Sequence, residues 1–260
     1  MPAERPPGST PDLTDDAILG GRLRLWQPRR GHRFGHDAIL LAAATPACDR
    51  AIDLGAGVGA AGLALAARVP GIRVTLVEIS SGLAALAALN ATRNQLAGRV
   101  DAVALDVAAS AADYAAAGLP PASCDAVLMN PPFNDPTRHK PSPDRRRRAA
   151  HDLARPSLAM WIDAAGRLLR PGGVLTVIFR ADGVVDLLNV LGADFGAIVL
   201  LPIHGKPDAH AIRVIIGAVK SSRALPTILP GLVLAAEDGT PTPAAQAVLR
   251  HGAELTLFTS

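Results

Sequence analysis

The chain has 260 residues, 49% of them hydrophobic and 19% charged, with a formal net charge of +3. That length supports one well-formed core with a small extension, and that balance excludes a disordered chain. The two cysteines have no CxxC spacing, no histidines cluster at ligand spacing, and no apolar run reaches the ~20 residues of a membrane helix, so a reducing, cytoplasmic setting with neither metal nor membrane is expected.

Residues 1–18, rich in Pro, Ser, Thr and Asp, read as a flexible tail without an apolar signal-peptide core. Residues 19–50 form an extension. Gly20-Gly21 followed by alternation up to Gln27 predicts a short hairpin, and a helix capped by Asp37 follows, stopped near Pro46. From Ala51 onward short β runs alternate with helical stretches. Strands are expected over 51–54, 72–78, 100–105, 126–129 and 174–179. Helices are expected over 60–68, from Ser80 or Ser81 to about Leu96, and over 157–169, the last ended by Arg170-Pro171-Gly172-Gly173. A short helix over 184–191 precedes two strands, 195–201 and 212–219, expected as an antiparallel pair. Repeated βα units with apolar strands imply an α/β fold. The expectation is a Rossmann-like, seven-stranded, mostly parallel sheet with helices on both faces and an antiparallel C-terminal strand. Its core spans 51–225, and residues 226–260 pack on it as a C-terminal segment.

Chemistry should lie at the carboxyl ends of such strands. The first strand runs into Asp53-Leu54-Gly55-Ala56-Gly57-Val58-Gly59, where glycines let backbone approach a ligand. The spacing is tighter than the dinucleotide fingerprint, and a carboxylate two residues before Gly55 favours a cationic head over a phosphate. Glu78 ends the second strand, where an acid can accept both ribose hydroxyls. Asp106 follows the third, where it can accept an adenine amino group or simply cap a helix. With their neighbours Ile79 and Val107, these acids suit S-adenosylmethionine better than NAD; a purely structural turn at the glycines is the competing reading.

The fourth strand runs into Asn130-Pro131-Pro132-Phe133. An amide, a rigid turn without N–H donors and an aromatic ring at one spot suit a planar nitrogen: acceptors for its protons and a face for its ring. Basic residues gather at Arg22, Arg24, Arg29, Arg30 and Arg33. They gather again at Arg138, Lys140, Arg145, Arg146, Arg147, Arg148 and Arg155. The second group begins just past Phe133, as an RNA-contacting rim or as a solvated loop.

These motifs resemble the class I S-adenosylmethionine-dependent methyltransferases of the branch carrying Asn-Pro-Pro-Phe/Tyr. The resemblance implies transfer to an exocyclic or amide nitrogen: adenine N6, guanine N2 of ribosomal RNA, or a glutamine side chain. It also implies that the Asn130 oxygen and the Pro131 carbonyl accept the amine protons, and that Phe133 stacks on the acceptor. Over more of the chain, Gly31-His32-Arg33-Phe34-Gly35-His36-Asp37 and Ala211 to Ala218, with the Leu229-Pro230-Gly231 and Thr242-Pro243 segments, look like bacterial tRNA(Val) adenine-N6 methyltransferases. That likeness makes tRNA the expected partner and adds Phe34 and Asp37 as residues near the donor. A glutamine-N5 protein methyltransferase is the second expectation. It ranks lower because only about fifty residues precede the first core strand, too few for the helical domain those enzymes carry. An NAD(P)-dependent oxidoreductase and a non-catalytic RNA-binding module are the remaining readings.

Overall fold

The computed structural model of the protein describes residues 12–31, 33–132 and 156–258. Phe133 and the second basic group (Arg138, Lys140, Arg145, Arg146, Arg147, Arg148 and Arg155) lie outside the described residues. The first element corrects the tail expectation. Leu13–Ile18 (β1) pairs antiparallel with Leu23–Pro28 (β2), Leu13 opposite Pro28 and Ile18 opposite Leu23. Its acids look solvated in sequence but are partnered in the fold. Asp15 meets Arg24 at 2.9 Å and Arg93 at 2.7 Å, and Asp16 meets Arg33 at 3.0 Å. The helix His36–Ala44 (α1) is capped by Gly35 rather than Asp37, which sits in its first turn.

The core strands are Arg50–Leu54 (β3), Arg73–Glu78 (β4), Val100–Ala104 (β5), Cys124–Met129 (β6), Leu169–Arg180 (β7), Phe195–His204 (β8) and Ala211–Lys220 (β9). These are the seven expected. They stand in the order β8-β9-β7-β6-β3-β4-β5, with β9 antiparallel between β7 and β8 and the other neighbours parallel. The C-terminal segment adds two short edge strands on β8, Thr227–Ile228 (β10) and Leu232–Val233 (β11). The Arg170-Pro171-Gly172-Gly173 stretch is no simple end of a helix. It bulges inside β7, where the register with β6 jumps from Cys124 opposite Leu169 to Ala126 opposite Val174.

The helices are Ala60–Arg68 (α2), Ser81–Arg93 (α3), Ala111–Ala116 (α4), Leu158–Leu168 (α5), Val184–Leu191 (α6) and Pro243–Leu249 (α7). α3 stops at Arg93, short of Leu96. α4 was not foreseen, although Ser110 and Asp113 form a capping box at its start. One apolar layer joins α1, α2, α3 and α7 to the sheet, and the other joins α4, α5 and α6 to the opposite face. Continuous apolar strands such as β6 are what a sheet covered on both faces requires.

The hairpin docks through two asparagines on α3. Asn90, fully buried, accepts from the Trp26 N–H (2.8 Å) and donates to the carbonyls of Trp26 and Val58 (both 3.0 Å). Asn94, one turn on, accepts from the Arg24 N–H and donates to the Arg24 carbonyl, both at 2.9 Å. Four helical residues rise about 6 Å and two strand residues about 7 Å, so side-chain amides at this spacing can serve the free edge of β2. Trp26, Val58 and Leu86 pack together beneath, and Arg93 stacks over Trp26 at 4.3 Å. Replacing Asn90 with Ala leaves these buried backbone groups unpaired. A loss of about 3 kcal/mol is expected in urea unfolding; an unchanged midpoint would mean that apolar contacts alone hold the hairpin.

Candidate active site

The strand order reverses between β3 and β6. From β3 the chain moves outward to β4 and β5, then returns to place β6 on the other side. A cleft opens above such a reversal. The glycine turn leaves β3 on one side of it, and Asn130 leaves β6 on the other.

The turn is held from the neighbouring strand. Gly55 and Ala56 N–H both donate to the Val77 carbonyl, at 2.8 and 3.0 Å. Gly55, Gly57 and Gly59 take φ of 72°, 56° and 87°. Their surroundings differ. A Cβ on Gly55 would lie 2.4 Å from the Trp161 ring, and one on Gly59 would lie 2.9 Å from Leu76, whereas one on Gly57 would meet nothing within 4 Å. Gly57 therefore faces open space, as backbone approached by a ligand must. Trp161, on α5, was not anticipated. Its ring closes the turn from below, and its rarity in a chain with 3% aromatics was the available signal.

Asp53 does not stand in the cleft as an exposed anion. It is buried, and its Oδ2 accepts from the Gly62 N–H in the first turn of α2 at 2.8 Å. This satisfies an amide that the cap residue Gly59 leaves unpaired. Burial pushes the carboxyl up to about 7, against the Gly62 bond, and nearby Glu78 adds to the rise. Glu78 ends β4 with each oxygen on one backbone N–H: Oε2 on Gly57 and Oε1 on Ser80, both at 2.9 Å. A carboxylate has about four acceptor positions, so two hydroxyls can still be received. Ile79 beside it is 63% exposed, an apolar surface suited to the face of a purine. Asp106 caps no helix, since Ser110 caps α4; its Oδ1 accepts from the Ala108 N–H at 2.8 Å. The Val107 side chain is buried in the core, so only its backbone can reach a ligand.

Across the cleft, Asn130 directly follows β6, with Pro131 buried and Pro132 exposed. Asn130 Oδ1 is buried and has no hydrogen-bond partner among the described residues. Phe34 packs beside Val58 and Trp26, and its N–H donates to Gln27 at 3.2 Å. Two weaker expectations are relocated. Asp37 bonds Arg213 of β9 at 2.8 Å, on the Asn130 side of the reversal and away from Glu78. Arg33 is engaged by Asp16, Thr14 and the Pro28 carbonyl, so it holds the hairpin and is not a free contact for RNA. Burial pushes the thiols of Cys48 and Cys124 up to about 11 and about 12, which removes them as nucleophiles. Among the described residues no group of His, Cys, Asp and Glu is arranged to hold a metal, and no helix is long and apolar enough to cross a membrane. An open Gly57, a strand-end Glu78, an exposed Ile79 and an unpaired amide oxygen fit S-adenosylmethionine beside a nitrogen acceptor.

Comparison with known proteins agrees. The profile of the family described as Methyltransferase small domain matches residues 35–201. A release factor glutamine methyltransferase of Chlorobaculum tepidum is 32% identical over 167 residues, covering 60% of this chain and 54% of the relative. A tRNA1(Val) (adenine(37)-N6)-methyltransferase of Pedobacter heparinus is 30% identical over 192 residues, covering 71% and 76%. The chain thus spans about half the length of the first relative and three quarters of the second. The crystal structure of a predicted O-methyltransferase from Agrobacterium tumefaciens superposes with a TM-score of 0.70 at 30% identity, covering 85% of this chain and 98% of that one.

Two outcomes follow from the geometry. Alanine at Gly57 has room but strains the backbone by about 1 kcal/mol; it should leave the fold intact and abolish binding of S-adenosylhomocysteine by calorimetry. Alanine at Gly62 would place its Cβ 2.3 Å from the buried Leu76 and should instead lower the melting temperature. The second outcome concerns pH. Folded Asp53 holds its proton up to about pH 7, whereas the unfolded chain releases it near 3.8. The folded state therefore binds more protons in that window, and its stability falls as pH rises through it. Melting of the ligand-free protein should drop between pH 5 and 8, and Asp53→Asn should flatten the drop. A slope that survives the substitution would assign it to other groups.

Proposed function

We propose that this chain, which belongs to the Methyltransferase small domain family, transfers a methyl group from S-adenosylmethionine to an exocyclic amine, adenine N6 of a tRNA. The observation that carries this reading is Asn130 Oδ1, a buried acceptor unpaired among the described residues, across the cleft from an open glycine turn. An unpaired buried acceptor costs about 1–3 kcal/mol, which an amine donating to it recovers.

S-adenosylmethionine, when bound, supplies a methyl made electrophilic by a sulfonium. Glu78 would receive the ribose hydroxyls, Asp106 would accept from the adenine amino group, and Ile79 would cover the ring. Gly57 admits the ligand's close approach, and Asp53 acts from beneath by fixing α2 to the turn. On the acceptor side, Asn130 Oδ1 and the Pro131 carbonyl accept hydrogen bonds from the two amine N–H groups. That rotates the nitrogen lone pair out of conjugation and toward the methyl, and Phe133 supplies a stacking face. The nitrogen becomes acidic as it is methylated, so no strong base is required. Orientation and polarisation supply the rate.

A glutamine of a protein is the second reading, because the same amide geometry serves it and the Chlorobaculum relative is named for it. Likeness to the Pedobacter tRNA-modifying relative runs over 71% of the chain and to the glutamine-modifying one over 60%, at nearly equal identity, so the acceptor is decided by the labelling experiment below. A ribosomal RNA base is the nearest variant of the RNA reading. A dinucleotide oxidoreductase is disfavoured by Glu78 and Asp106 at successive strand ends beside Asn130.

Methyl transfer from radiolabelled donor to total tRNA, ribosomal RNA and protein, followed by nucleoside and amino-acid analysis, tests the acceptor. N6-methyladenosine in tRNA is expected; label confined to glutamine would overturn the RNA reading. Asn130→Ala should retain S-adenosylhomocysteine binding and lose about 100-fold or more in turnover. Unchanged turnover would remove Asn130 from the mechanism.

A further inference from the structure

Residues 106–109 lie between the end of β5 and the start of α4, and they carry Asp106. The turn begins beside Glu78, whose carbonyl accepts from the Leu105 N–H at 3.0 Å. Two contacts within it are local. The Ala108 N–H donates to Asp106 Oδ1 at 2.8 Å, and the Ala109 N–H donates to the Asp106 carbonyl at 3.0 Å. They shape the turn without tying it to the rest of the fold. Two other contacts reach it from outside. The Tyr114 hydroxyl donates to the Val107 carbonyl, and Arg167 Nη2 donates to the Ala109 carbonyl, both at 3.3 Å. Arg167 also lies over the Tyr114 ring, 5.5 Å from its centroid.

Tyr114 is the single tyrosine of the chain and the one buried residue of α4, whose other positions are exposed. A six-residue helix with one apolar anchor gains little from its own burial. Its capping box at Ser110 starts it directly after the turn, and its anchor reaches back under Val107. A phenylalanine would fill the same space beside Val107 and Leu119 in that apolar layer. The hydroxyl is the part that packing does not require. Burial pushes it up to about 12, against Arg167 and helped by nearby Asp106, so it remains a donor at neutral pH.

We propose that Tyr114 is a positioning residue for recognition of the donor's adenine: through the Val107 carbonyl it holds the 106–109 turn so that Asp106 meets the adenine amino group. Arg167 braces the other end of the turn at Ala109. This rests on the donor reading of Asp106 given above. α5 then supports the donor site at two points, with Trp161 beneath Gly55 and Arg167 at Ala109.

The test is calorimetry with two ligands, S-adenosylhomocysteine and S-inosylhomocysteine, the second carrying a carbonyl where adenine has its amino group. The parent should prefer the adenosyl compound. Tyr114→Phe should weaken the adenosyl compound about fivefold and leave the inosyl compound within about twofold, the loss of one ordinary hydrogen bond read only by the amino group. Arg167→Met should shift the preference in the same direction. Once Asp106→Ala is in place, adding Tyr114→Phe should cost nothing further. A merely structural Tyr114 would lower the melting temperature and weaken both ligands alike. The proposal is overturned if Tyr114→Phe and Arg167→Met keep the parental preference, or if they weaken both ligands in equal proportion. In those cases a parent that binds and prefers the adenosyl compound leaves the donor reading standing. A parent that binds neither compound removes both.

Discussion

The site depends on two carboxylates seated under one glycine turn. Asp53 reaches forward from β3 to the amide of Gly62, and Glu78 reaches across from β4 to the amides of Gly57 and Ser80. Between them they fix the start of α2, the turn itself and the exit toward α3. Burying two acids so close is unfavourable, and the fold meets the cost with backbone donors and with a carboxyl at Asp53 that holds its proton to about pH 7. The positive φ at Gly57 lets its amide turn toward Glu78, while the Gly55 amide donates to the Val77 carbonyl and the Gly59 amide to that of Ala56. A side chain at Gly55 or Gly59 would meet Trp161 or Leu76 instead.

The reversal of strand order then divides the labour along one edge. Glu78 ends β4 and Asp106 follows β5 on one side, and Asn130 follows β6 at the reversal. The order β6-β3-β4-β5 sets these residues side by side, contributed one strand at a time. The family match and the strand-end chemistry are therefore independent arguments for the same assignment.

The local, periodic features were legible in the sequence. The seven core strands, the switch-point turn and Asn130 come from apolar runs that end in glycine or proline, which is short-range information. Features that depend on partners far away in sequence were not legible. β1 looked like a tail because Asp15 and Asp16 find their arginines only in the fold. Asp37 looked like a cap because its partner Arg213 lies 176 positions on. Asp53 looked like a ligand contact because nothing local says that its carboxylate points under the turn. Asn90 and Asn94 left a readable trace, since two poor helix formers one turn apart inside a helix need a tertiary reason. The capping pair Ser110 and Asp113 was equally readable and passed over.

The bond from Asn90 to the Val58 carbonyl carries a consequence for how the protein assembles. Its partners on the hairpin lie 64 positions earlier, at Trp26. A two-stranded ribbon alone is marginal in water, so β1 and β2 cannot settle until α3 has been synthesised and packed. The hairpin, made before α3, is thus among the last of its neighbourhood to become ordered, and the back of the donor turn is completed only at that moment. The amide hydrogen of Trp26, bonded to Asn90, becomes a reporter of whether the methyl-donor turn is whole.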